Sequence, residues 1–494
     1  MRRADEGAID SGTPAEVLME RAGAAVARAA LRLAGGRYGR RAVAVCGKGN
    51  NGGDGYAAAR ILRNEGMSVR CYSVADPGDL TGAARHHFEL YRASGGDVDR
   101  DPRVVIGADV VIDAIFGTGF HGPADGESAR AIEAVNELGR NVVSVDIPSG
   151  VDGSTGHVDG PAVHADVTVV MAAEKLGTAL PPGAQRAGRV EVVDIGIAVD
   201  GRGAAYVLDA PVHVPRLDPT AHKRSEGSVA ILAGSDAMRG AALLAARGAQ
   251  RAGSGYVTLG VTRAVKDAAH PALPEALVMQ VTELATLGRD SLEAFHDVIE
   301  SATAVAIGPG IGQGPRQREL MVDALATIDK PLVLDADALN VLAGDPSPLE
   351  GRTGNAEVVL TPHPAELARL LGTSTEEVEA DRLGSAGAAR DRFGAVIVLK
   401  GWRTVIAGPS GLAVCPTGGP ELATAGTGDV LTGAIAGLGG GAEGAAAGVY
   451  VHGLAGSIAG ERVGPSGVVA WDVAEALPEA WERIAAGERA DWLS

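Results

Sequence analysis

The chain has 494 residues, too many for one ordinary hydrophobic core, and its 46% hydrophobic content with only 3% aromatics describes a globular protein built on Val, Leu, Ile and Ala. A formal charge of −18 excludes general affinity for nucleic acid or anionic membrane, so any phosphate must be held by local geometry. The 71 glycines follow no period, which excludes collagen-like and repeat architectures, and three scattered cysteines without metal-ligand spacing fit a reducing cytoplasm.

Arg2-Arg3 is followed by Asp5 and Glu6 instead of an apolar core, which does not read as a signal peptide, and no apolar run approaches a membrane span. A soluble, cytoplasmic protein is therefore expected. Residues 15–34 place Val17, Leu18, Ala22, Ala25, Val26, Ala29 and Leu33 near a 3.6 period, an amphipathic helix stopped by Gly35-Gly36. The strand Ala42–Cys46 then meets the loop GKGNNGGDG, residues 47–55, which leads into a helix through Ala58, Ile61 and Leu62. Strand, glycine loop, helix is the context in which dinucleotides bind, although the spacing is not G-x-G-x-x-G. A plain turn has no need of Asn50, Asn51 and Asp54 together, which marks the loop as a ligand site.

Two further strands end in comparable loops. Val110–Ile115 carries Asp113 and runs into FGTGFHG, and Asn141–Val145 runs into Asp146-Ile147-Pro148-Ser149-Gly150. Strand-end aspartates often serve only as turn caps, but in a parallel sheet ligands sit beyond the carboxyl ends of the strands, where these three loops converge. Asn51, Asp113 and Ser149 would form an oxygen-only donor set with one formal charge, suited to a weakly held monovalent cation, leaving Asp146 for proton transfer.

GKGNNGGDG, DAIFGTG and DIPSGVDG, in this order, resemble the NAD(P)H-hydrate epimerase family, which has a Rossmann-like domain. The resemblance implies substrate contacts from Asn50, Asn51, Gly52, Gly53 and Asp54, and from Gly117, Thr118, Gly119, Phe120, His121, Gly122 and Pro123. It also implies K⁺ at Asn51, Asp113 and Ser149, and Asp146 at the substrate. Inverting a hydroxyl-bearing carbon needs a group that accepts and returns a proton, and Asp146, ending a strand on the edge of the glycine loops, is the catalytic candidate. Glu174-Lys175-Leu176-Gly177 keeps the lysine of a Pro-Lys-Pro-Gly loop common in related domains.

Between about Val199 and His222 the periodic pattern gives way to Gly, Asp and Pro, so the domains are read as residues 1–205 and 206–494. A second series of strand-to-loop units follows. Ser228–Leu232 leads to a small-residue helix over Met238–Ala252, and Val305–Ile307 leads to Gly308-Pro309-Gly310-Ile311-Gly312. Leu332–Leu334 ends in Asp335 and Asp337, Val358–Thr361 in Pro362-His363-Pro364, and Val396–Leu399 in Lys400. The stretch ATAGTGDVLTG, residues 423–433, reads as a glycine turn opening into an apolar helix. Backbone N–H groups and the helix dipole there suit a phosphate, and Asp429 lies in the first turn. Anion hole plus adjacent carboxylate is what phosphoryl transfer to a hydroxyl requires. Plainer readings exist for each residue: an N-cap for Asp429, a solvated cation for Lys400, a structural ring for His363. No zinc spacing, G-x-S-x-G elbow or GxxxxGK[ST] loop occurs.

The set HKRSEG, GSDAMRGAALLAA, IGPGIG, DADALN, TPHPAE, LKGWRT and ATAGTGDVL resembles the ADP/ATP-dependent NAD(P)H-hydrate dehydratase family, which is similar to ribokinase-like kinases. That implies hydrate contacts from Ala241, Gly312, His363 and Asp429, with Asp429 as base. It further implies nucleotide contacts from Lys400, Gly401, Trp402, Arg403, Thr404 and Gly428, with Mg²⁺ and ADP or ATP as co-substrate. The expected architecture is α/β, a Rossmann-like three-layer domain followed by a ribokinase-like α/β domain. The expected protein is a bifunctional repair enzyme for hydrated NADH and NADPH, binding no nucleic acid or membrane and forming a homo-oligomer. The rival reading is a ribokinase-like small-molecule kinase whose N-terminal dinucleotide-binding domain is not catalytic. A scaffold with a dead first domain is disfavoured by the presence of Asp113 and Asp146. An oxidoreductase is disfavoured by the missing fingerprint.

Overall fold

The computed structural model describes residues 2–139, 141–199, 205–211, 227–350, 352 and 356–488. HKRSEG, apart from Gly227, and most of the segment read as the domain boundary lie outside them. The described residues form two compact units, within 1–203 and within 204–490.

The first unit is built on seven strands: β1 (Arg41–Cys46), β2 (Ser68–Ser73), β3 (Asp97–Asp99), β4 (Val110–Ala114), β5 (Val142–Val145), β6 (Val167–Met171) and β7 (Arg189–Val193). They pair in parallel in the order β3-β2-β1-β4-β5-β6-β7. Alternation along β1 shows why both faces are covered. Ala42, Ala44 and Cys46 pack with Val26 and Ala58 from the helices Ala15–Leu33 and Asn50–Asn64, whereas Val43 and Val45 pack with Ile132 and Val135 from Gly126–Leu138. Strand order reverses between β1 and β4, so the loops after those two strands diverge and leave a crevice.

The second unit adds β8 (Tyr206–Val207), β9 (Ser228–Leu232), β10 (Tyr256–Thr262), β11 (Leu277–Thr282), β12 (Ala304–Ile307), β13 (Leu332–Leu334), β14 (Val358–Leu360), β15 (Val396–Leu399), β16 (Val405–Gly408) and β17 (Gly411–Val414). Its order is β11-β10-β9-β12-β13-β14-β15-β16-β17-β8, parallel as far as β15, with β16 and β17 forming an antiparallel hairpin that the sequence reading did not anticipate. The reversal here lies between β9 and β12. Four helices share one core with the sheet: Arg239–Ala252, Thr427–Gly437, Gly441–Val463 and Ala470–Ala485. The first two approach at backbone contact. A Cβ placed on Gly433 would lie 1.8 Å from the Ala245 carbonyl oxygen, and one on Gly248 would lie 2.2 Å from that of Val430.

No helix among the described residues is long and apolar enough to cross a membrane.

Candidate active sites

The loop after β1 is shorter than the glycine run suggests, because the helix begins at Asn50 and takes in Asn51, Gly52, Gly53 and Asp54. Gly52 and Gly53 are small for packing reasons. A Cβ on Gly52 would meet the Gly47 carbonyl oxygen at 2.0 Å, and one on Gly53 the Met19 sulfur at 2.5 Å. Neither lines the cavity of about 960 Å³ that opens at this switch point. Asn50, Asn51 and Asp54 do line it, as do Gly117, Thr118, Gly119, Phe120 and His121 from the loop after β4; Gly122 and Pro123 do not. Phe116 and Phe120 stack with ring centroids 4.4 Å apart, stiffening that loop. His121 turns to Asp152, with Nδ1 2.7 Å from its carboxylate.

Asp146 also faces the cavity. It follows β5 with φ of 65°, a left-handed conformation uncommon for a residue bearing a Cβ. The surroundings determine that conformation: its N–H donates to the Val169 carbonyl at 2.8 Å, and its Oδ1 accepts from the Met171 N–H at 3.0 Å. Lys175, buried at the end of the β6 loop, donates to the same Oδ1 at 2.5 Å. Asp146 is thus half of an ion pair, with a partner that the sequence does not announce.

Asp113 is fully buried. Ser144 Oγ donates to Oδ2 at 2.7 Å, while Ser149 reaches both oxygens, Oγ to Oδ1 at 2.5 Å and N–H to Oδ2 at 2.9 Å. Asn51 Nδ2 donates to the Phe116 carbonyl at 2.7 Å, and the Phe116 N–H donates to Ser149 Oγ at 2.9 Å. The three predicted cation ligands thus meet around one backbone turn. Burial pushes the Asp113 carboxyl up, and no basic side chain pairs with it among the described residues. A buried carboxylate amid hydroxyl, amide and carbonyl oxygens fits a monovalent cation. No His/Cys/Asp/Glu cluster of metal-binding size occurs among the described residues.

In the second unit the strand ends beside the switch point converge. Lys400 Nζ donates to Asp335 Oδ1 at 2.6 Å, and Thr432 Oγ1 donates to Asp335 Oδ2 at 2.7 Å, tying β15, β13 and the helix Thr427–Gly437 together. A Cβ on Gly428 would lie 3.4 Å from Lys400 Nζ, so the helix start sits against the lysine. Asp429 is pushed up to about 7, first by burial and then by the Asp335 charge, with Lys400 opposing. Asp337 receives the Gly312 N–H at 2.9 Å and the Gln313 amide at 2.8 Å, which fixes the glycine loop after β12. Ala241 stands against that loop; its Cβ would be 2.9 Å from one placed on Gly310.

His363 caps the helix Pro364–Leu371. Its Nδ1 accepts from the Ala365 and Glu366 N–H groups at 3.1 and 3.3 Å, so the neutral ring carries its proton on Nε2. Burial lowers the His363 pKa and Lys400 lowers it further. Glu366, buried 4.0 Å from Lys400, was not singled out from the sequence. Neither was His452, whose Nε2 lies 2.9 Å from the Thr427 carbonyl and braces the helix start. Of the predicted nucleotide contacts, Trp402 is half-exposed, and Thr404 Oγ1 donates to the Gly401 carbonyl at 2.9 Å. Arg403 is buried, with its guanidinium against Trp402 and 3.5 Å from the Pro416 carbonyl.

The family model described as YjeF-related protein N-terminus matches residues 15–177, and that described as NAD(P)H-hydrate dehydratase matches residues 229–479. The bifunctional NAD(P)H-hydrate repair enzyme Nnr of Moorella thermoacetica is 40% identical over 491 residues, spanning 94% of this chain and 92% of its own. The enzyme of that name from Escherichia coli K12 is 32% identical, spanning 97% and 92%. Among solved structures, the ADP/ATP-dependent NAD(P)H-hydrate dehydratase of Bacillus subtilis, co-crystallised with ATP/Mg²⁺, is 34% identical with a TM-score of 0.47. It covers 55% of this chain and 94% of that one. Matched along nearly its whole length, the chain belongs to the family of bifunctional NAD(P)H-hydrate repair enzymes.

Proposed function

We propose that the first unit interconverts the R and S hydrates of NADH and NADPH in the Asp146 cavity. The second unit then dehydrates the S form at Asp429, using ADP or ATP. The observation that carries the dehydratase assignment is Asp429 itself: a carboxyl held near 7, in the first turn of a helix whose cap residue Gly426 makes no side-chain hydrogen bond, beside Lys400.

The chemistry follows from the leaving group. Hydroxide leaves poorly and phosphate leaves well, so the hydroxyl is first phosphorylated. Asp429 takes the hydroxyl proton as the oxygen attacks the terminal phosphorus of the nucleotide. The N–H groups at the start of the helix Thr427–Gly437 and the Lys400 ammonium face the charge that develops. The ring nitrogen's electron pair then expels phosphate, and loss of a proton from the adjacent carbon restores the dihydronicotinamide. Asp335 and Asp337 would hold Mg²⁺ through its waters, since their oxygens already accept from Lys400, Thr432, Gly312 and Gln313. Held there, the ion would supply charge neutralisation for the phosphates. Asn51, Asp113 and Ser149 would hold K⁺ under the epimerase cavity, where it offsets the buried carboxylate.

The test is recovery of near-ultraviolet NADPH absorbance from a mixture of R and S hydrates, with Mg²⁺, K⁺ and either nucleotide. Complete, nucleotide-dependent recovery that stops at the S fraction in Asp146→Asn is expected. No recovery with ADP or ATP would overturn the reading in favour of a small-molecule kinase.

A further inference from the structure

The Asp146 cavity contains one buried cation whose place is fixed on two sides. Lys175 Nζ donates to Asp146 Oδ1 at 2.5 Å and to the Met171 carbonyl at 2.6 Å, and the residue is only 6% exposed. An ammonium has three N–H bonds, so a third remains after these two contacts. Lys175 and Asp146 both line the cavity, which leaves the cavity as the space that third bond can address. A lysine kept only for stability would cost desolvation for a pair that apolar residues replace at little loss. Here the pair is placed instead by strained backbone on both sides, with φ of 65° at Asp146 and 63° at Ala172.

Water adds across an enamine double bond with its oxygen on the carbon next to nitrogen, so the hydrated ring is a carbinolamine. Inverting that carbon requires the C–O bond to break and re-form on the other face. We propose that Lys175 is the proton donor of this step and Asp146 the carboxylate that steadies the cationic ring. The ring nitrogen's pair forms C=N⁺ as the C–O pair leaves with oxygen, and a proton from the Lys175 ammonium converts that oxygen to water. Water then adds to the opposite face of the planar ring and returns its proton to the Lys175 amine. Atoms and charge balance over the cycle. The inference rests on the epimerase reading of the first unit and assigns its proton transfers to Lys175, with Asp146 as the charge that steadies the ring.

The experiment uses the full chain and follows conversion of pure R hydrate to S without nucleotide. Lys175→Met should lower kcat for epimerisation at least 100-fold with KM changed less than threefold, and Asp146→Asn combined with it should add little further loss. Lys175→Cys alkylated with 2-bromoethylamine restores an ammonium at nearly the original reach; the same variant capped as a neutral methyl disulfide does not. Recovery with the first adduct alone, and no recovery with Lys175→Arg, is the expected result. Equal rescue by Lys175→Arg would reduce Lys175 to a tether for Asp146 and overturn proton donation. So would wild-type rates in Lys175→Met, or no rescue by the ammonium adduct in a protein whose dehydratase activity is intact. Absence of epimerisation in the unmodified chain would instead remove the epimerase reading itself.

Discussion

Burial raises the Asp429 carboxyl from the ordinary carboxylate range to about 7, with Asp335 adding to the effect and Lys400 opposing it. A base works only when unprotonated, so kcat/KM for dehydration should fall about tenfold per pH unit below roughly pH 7 and level off above it. Asp429→Asn should lower kcat by about 10²–10⁴ and abolish that limb, whereas a pH profile with its limb near 4 would show that another group supplies the base. The same shift acts on stability with a definite sign. The folded chain holds this proton more tightly than the unfolded chain, so the contribution of Asp429 to stability is lost as pH rises from the ordinary aspartate range through about 7. Asp429→Asn should therefore have a higher Tm than the parent at pH 8, with the gap closing towards pH 5. As the proposed base, Asp429 would work at a pH where the fold prefers it neutral.

At the scale of elements, the pair formed by Arg239–Ala252 and Thr427–Gly437 decides where Asp429 points. Gly433 lies one turn after Asp429, and a Cβ on it would sit 1.8 Å from the Ala245 carbonyl oxygen. Helix propensity favours Ala over Gly by about 1 kcal/mol, but overpacking against backbone costs about 1–3 kcal/mol and moves the helix. Gly433→Ala should lower the Tm of the second unit and its dehydratase kcat together, leaving epimerisation unchanged; a more stable variant would show that the helices part without cost. Elements of this kind were legible in the sequence because parallel strands buried on both faces read as short apolar runs ending in glycine loops. The runs at Ser228–Leu232 and Val396–Leu399 match β9 and β15 end to end. The start of the helix at Asn50 was not legible, since the room its glycines need is set by Gly47, Met19 and Ala114, which the local sequence does not show. Contacts made across the sheet were also beyond reach. Nothing local in Glu174-Lys175 announces a bond to Asp146, 29 residues earlier, although a lysine at the end of the next strand on the same edge was a usable signal. Arg403 is a nucleotide contact by resemblance alone, and the sequence does not show that its guanidinium packs on Trp402 beside the Pro416 carbonyl.

At the scale of the whole molecule, each unit carries its own core. The buried clusters of the first unit draw on residues from Ala8 to Ile197, and the large cluster of the second on residues from Leu208 to Ile484. Tyr206 and Val207 already belong to the second sheet, as β8 pairs with β17, so a division must fall before them. Chains comprising residues 1–203 and 204–494 should therefore each unfold in a single cooperative transition. Functionally they should divide the reaction. The second chain alone recovers NADPH only from the S hydrate and stalls when that is spent. The first alone equilibrates R and S without recovering any. Mixing them restores complete recovery at a rate that rises with the concentration of the first chain. Asp146→Asn in the intact protein should reproduce the stall of the second chain alone, because it removes the first unit's chemistry and leaves its fold. If the separated second chain instead consumed both hydrates, inversion would not depend on the Asp146 cavity, and the first unit would have to be read as a binding module.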